Sequence, residues 1–174
     1  MHSSLPTESE GERIASDLVP TEDISGDDEE DTTLLRKMSE DARRYISSFA
    51  WCDAILSSYF GGGLGGVFAV FLFHIRPGLP SVDPWIWVAV GDVPPAYLPV
   101  SDCKSPVEFF RTYIRGMSKW VELARLGRVG TPEDGVPPVN ALPTPERAED
   151  LSRRLSTLRL VVQPFFESDS DIVH

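Results

Sequence analysis

VFAVFLFHI (residues 67–75) and WIWVAV (residues 85–90) are the two stretches on which the fold turns. Both are dense in β-branched and aromatic residues. Glycines precede the first, Arg76-Pro77-Gly78 and Asp83-Pro84 lie between them, and Gly91-Asp92 follows the second. Such runs, bounded by turn formers, predict two strands. Neither alternates polar with apolar residues, so their sheet must be covered, at least in part, on both faces. Only residues 76–84 separate them, which is too short for a parallel crossover and points to an antiparallel hairpin. A third extended piece, Tyr97 to Val100, belongs at an edge because Pro99 has no N–H to donate.

Working outward, Ser105-Pro106-Val107-Glu108 is a helix start: Ser105 caps, Pro106 suits the first helical position and Glu108 completes a capping box. Phe110, Ile114, Met117, Val121 and Ala124 form its apolar face, and Gly127 ends it. Thr144-Pro145-Glu146 opens another helix, with Ala148, Leu151, Leu155, Leu158 and Val162 facing inward until Pro164. On the N-terminal side, Leu35, Met38, Ala42, Tyr45, Phe49, Cys52, Leu56 and Tyr59 recur at three- and four-residue steps. This spacing predicts one helix running from about residue 34 to the glycines at 61–63. The expected class is α+β, a small antiparallel sheet of two to three strands packed with about three helices. The loop at residues 128–143 contains four prolines, and Val136-Pro137-Pro138-Val139 is expected to run extended across the core.

Charge divides the chain. Residues 1–33 carry eleven acids against Arg13 alone, and the remainder is close to neutral within a net charge of −11. Residues 1–33 hold only isolated apolar side chains and are expected to form a disordered acidic tail. Residues 34–166 form one domain, and residues 167–174 a second disordered tail. The folded part has no basic stripe interleaved with aromatics, so nucleic acid is not an expected partner. No apolar stretch is long enough to span a bilayer, and no secretory pattern is present; the expected compartment is cytoplasmic.

Chemistry-bearing motifs are few. Gly61, Gly63 and Gly66 match G-x-G-x-x-G, but a dinucleotide loop needs a strand before and a helix after, and the order expected here is the reverse. These glycines instead end a helix and lead into the sheet. Cys52, His74 and Asp92 invite comparison with a nucleophile triad, yet Cys52 lies on an apolar stripe and His74 has no neighbour at metal-ligand spacing. Asp83, Asp92 and Asp102 are turn or cap residues by default; Asp92, in Gly91-Asp92-Val93-Pro94-Pro95-Ala96-Tyr97, has the most constrained setting. Trp85 and Trp87 share one face of their strand, and any ring left exposed would mark a binding surface. No catalytic set, cofactor or metal site is expected. The candidate binding surface is Asp92, Tyr97, Asn140, His74, Trp85 and Trp87.

Several segments taken together resemble an uncharacterised family of small bacterial proteins: Trp51-Cys52 with Tyr59-Phe60-Gly61, GGVFAVFLFHIRP, VDPWIWVAVGDVPPAY, the Tyr113–Trp120 helix and Pro138-Val139-Asn140. The resemblance covers roughly residues 46–162, with VGDVPPAY its most specific part. It implies a bacterial, cytoplasmic, one-domain protein and supplies no catalytic residue. Two functions compete. The favoured one is a non-enzymatic interaction protein, immunity-type or regulatory, acting through protein–protein contacts. The other is a small-ligand binder or hydrolase built on Asp92, Tyr97, His74 and Asn140.

Overall fold

The computed structural model describes residues 6–137, 139, 141–164 and 166. Five strands form one antiparallel sheet in chain order: β1 (Val19–Pro20), β2 (Cys52–Leu64), β3 (Phe68–Pro77), β4 (Trp85–Gly91) and β5 (Ala96–Pro99). The α-helices among the described residues are α1 (Pro6–Ala15), α2 (Glu29–Ser47), α3 (Pro106–Arg125) and α4 (Pro145–Thr157), the last continued by a π-helical turn over Leu158–Val162. The class is α+β as expected, with more strands and one more helix than the composition suggested. The β3–β4 hairpin has the expected direction, in register from Phe68 opposite Gly91 to His74 opposite Trp85. The short strand with Pro99 lies at the edge.

The sheet is buried on both sides, and successive residues of β3 divide between two cores. Phe68, Val70 and Leu72 point toward α1, α3 and α4, whereas Ala69, Phe71, Phe73 and Ile75 point toward α2. Two-sided burial is why these strands read as continuous apolar runs. Ser105 and Thr144 cap α3 and α4 through the amides of Glu108 and Arg147, as their sequences indicated. Val136 is buried in the core cluster to which α3 contributes, and Pro138, within the expected extended run, lies outside the described residues.

Two expectations are corrected. The long helix from residue 34 stops at Ser47, and Cys52, Leu56 and Tyr59 lie on β2. The cause is visible in the β2–β3 register, which shifts between Cys52 and Ala54, Ile55 and Ser57, and Phe60 and Gly62. Each bulge adds a residue to one strand and disturbs the two-residue period. Cys52 and Ile55, three apart, therefore face the same core, and a strand imitates helical spacing. Gly61 and Gly63 lie inside β2 rather than at a helix end.

The N-terminal acidic segment is also ordered from residue 6, contrary to the expected disorder. Its few apolar residues suffice because they reach both cores: Ile14 and Ala15 join the α3/α4 side, and Ile24 the α2 side. Gly11 lets α1 lie flat on Trp85, since a Cβ there would fall 2.2 Å from the indole. The acids have structural tasks. Asp28 caps α2 by accepting the Asp31 amide at 2.8 Å, and Asp31 accepts the amides of Gly65 at 2.7 Å and Asp27 at 2.9 Å. Glu29, Glu30 and Asp31 also sit in the first turn of α2, where negative charge favours the helix dipole.

Candidate interaction groove

The sequence-derived surface does not converge. His74 is at the far end of β3, half-buried and stacked on Trp85, with ring centroids 4.1 Å apart and planes 2° from parallel. Asp92 follows the opposite end of β4. Six residues of strand register separate the two levels, about 20 Å at 3.3 Å per residue. Tyr97 packs on the α2 side of the sheet, the other face from Trp85. Trp85 and Trp87 do share a face, but both are buried, and the Trp87 indole donates to the Cys103 carbonyl at 2.8 Å. Asn140 lies outside the described residues.

Asp92 has a structural role. Its amide donates to the Val67 carbonyl at 3.0 Å, and its exposed carboxylate pairs with Arg154 at 2.8 Å, tying the β4–β5 turn to α4. Cys52 joins the α2-side core, across the sheet from the His74–Trp85 stack. Burial, and then the nearby Asp53 charge, push the Cys52 thiol pKa up, the wrong direction for a nucleophile. No group of three or more metal-ligating side chains occurs among the described residues.

A different place gathers exposed apolar surface. Where α2 ends, Tyr45 and Phe49 face Pro95 of the β4–β5 turn, Trp120 of α3 and the loop residues Val129 and Val136, enclosing a groove of about 500 Å³. Rings support its α2 wall. Phe49 stacks on Trp51 at 5.0 Å, and Tyr97 meets Phe49 and Trp51 at 5.0 and 5.1 Å. The opposite wall is braced by Tyr113, whose hydroxyl donates to the Pro94 carbonyl at 2.6 Å and fixes the turn to α3. Burial raises the Tyr113 pKa strongly and keeps this donor protonated. The Tyr45 phenol is raised to about 12, first by burial and then by Tyr97.

Val129 is 79% exposed at the groove's mouth, and Leu142, beside the lining residues Ala141 and Pro143, is 71% exposed. The described lining offers contact area and one phenol, without a carboxylate, imidazole or thiol. Such a surface removes water from an apolar group and holds it. Sequence reasoning assigned Tyr45 and Phe49 to an apolar helix face and passed over Val129 and Leu142. The four prolines of residues 128–143 were the available signal, since they mark a loop held away from regular pairing. No family model matches the chain, and neither a curated protein nor a solved structure matches it.

Proposed function

We propose that this is a non-enzymatic interaction protein, a bacterial cytoplasmic one of the immunity or regulatory kind. Its groove between α2, the β4–β5 turn, α3 and the proline-rich loop takes up an apolar segment of a protein partner. The observation that carries the reading is the exposed apolar side chain of Val129 in the lining of that aromatic groove, with exposed Leu142 next in the chain to the lining residues Ala141 and Pro143. Exposed apolar side chains next to an aromatic-lined depression are the usual anatomy of a protein contact, with rings as anchors and the surroundings excluding water. A hydrolytic site at Asp92, Tyr97, His74 and Asn140 gains no support, because His74 and Asp92 stand at opposite ends of the sheet.

The test uses charge placed on the rim. Leu142→Asp and Val129→Asp alter exposed side chains and leave the fold intact, whereas Leu160→Asp does the same on another exposed residue, 79% accessible. A partner retained by the unmodified chain and by Leu160→Asp, but lost with either rim variant, is the expected result. Equal retention by all three variants would remove the groove from consideration.

A further inference from the structure

We propose that the cleft between α2 and the β1–β2 edge of the sheet binds a phosphomonoester of a sugar or polyol. The cleft has a volume of about 730 Å³, within the range of small-molecule sites, and shares no described lining residue with the apolar groove. Arg36, Glu40 and Arg43 belong to its helical wall; at steps of four and three residues they project from one side of α2. Thr21, Glu22 and Ser58 belong to the facing wall. Both arginines are exposed, and neither holds a carboxylate among the described residues, although Glu40 stands between them on the same side. Arg44, the next residue in the chain, pairs with Asp41.

Beneath Arg43 the cleft has a polar floor. Ser58 is 7% exposed, the only buried serine, threonine or charged residue among those described. Its hydroxyl accepts from the Arg43 guanidinium at 3.4 Å and shares a 2.7 Å hydrogen bond with the Thr21 hydroxyl. A hydroxyl taken out of water is costly without partners, and here both partners come from side chains that line the cleft. Arg43 keeps further N–H donors, and Arg36 makes no side-chain hydrogen bond among the described residues. Forked guanidinium donors match the oxygens of a phosphoryl group, and two of them offset its double charge. Glu22 and Glu40 repel a bare phosphate dianion, yet their carboxylates accept from sugar hydroxyls. The mixed lining therefore selects a phosphoryl group that brings hydroxyl donors with it.

Titration of the full chain with glucose 6-phosphate, ribose 5-phosphate and glycerol 3-phosphate, followed by amide and arginine side-chain NMR shifts, tests the site. At least one ester should move Thr21, Ser58 and Arg43 at millimolar concentration, and the same polyols without phosphate should leave them unmoved. Inorganic phosphate should bind severalfold more weakly than that ester, and E22Q/E40Q should narrow the gap. R43Q should weaken the ester about tenfold or more, the loss of a charge-assisted hydrogen bond, while R44Q leaves it unchanged. R36Q, at a side chain with no hydrogen bond to the fold, should weaken it likewise. The proposal is overturned by the absence of shifts at these residues with all three esters. Inorganic phosphate binding as tightly as the esters, or undiminished affinity in both R36Q and R43Q, would also overturn it.

Discussion

The two faces of the sheet are built to different degrees of closure. On one, α1, α3 and α4 cover Trp85, Trp87, Phe68 and Leu72 with hardly any side chain exposed. On the other, α2 and Ile24 lie over Phe71, Phe73, Ile86 and Val88, and where α2 ends at Ser47 the rings of Tyr45, Phe49, Trp51 and Tyr97 are left half-buried. A single helix about 10–12 Å across cannot roof a sheet with strands about 4.8 Å apart. The closed face supplies stability. The corner that α2 leaves open has room for a partner, at the groove beside Pro95 and Trp120.

The largest test of this contrast removes a ring from each face. Trp87→Ala opens a buried cavity and orphans the Cys103 carbonyl, and should cost about 3–5 kcal/mol in denaturant unfolding. Trp51→Ala, in the half-buried cluster, should cost less than half as much while weakening partner retention. Equal costs would erase the distinction between the faces. Next is Gly11→Leu, which drives a side chain into the Trp85 indole. It should lose about 1–3 kcal/mol and release amide-exchange protection in α1 while α2 stays protected.

Asp28→Ala probes the other layer, removing the α2 cap at a cost of about 1 kcal/mol. Protection should then fall first near Glu29 and leave Tyr45 and Phe49 at the far end of α2 unaffected. The last test is a titration. The Tyr45 pKa is raised from 10.0 to about 12, so the folded state favours the neutral phenol. That contribution is fully present below pH 10 and is lost as pH rises from 10 through about 12. Tyr45→Phe should flatten this part of the alkaline stability profile, and an unchanged profile would place the titration elsewhere.

The strands at residues 67–75 and 85–90 and the helices starting at Ser105 and Thr144 were legible, because each rests on local composition and caps. β2 was not. Its three register shifts follow from pairing with β3, and they replaced alternation with helix-like spacing at Cys52 and Ile55. The N-terminal segment misled for a related reason. Ile14, Ala15 and Ile24 are sparse in sequence, and their worth depends on distant surfaces such as the Trp85 ring. As for the groove, the proline-rich loop drew attention while its aromatic walls passed as ordinary core. Periodicity marks which residues face inward but gives no hint of where a covering helix runs out.

The bulges in β2 bear on how the protein behaves in a crowded solution. β1 pairs only with Tyr59 and Phe60, so the outer edge of β2 from Cys52 to Ser57 has no strand partner among the described residues. A straight edge of that length would be a template on which other chains could add strands and grow into aggregates. Two of the three register shifts fall within it and bend its amides and carbonyls out of line. Irregularity therefore guards this margin against unwanted backbone pairing.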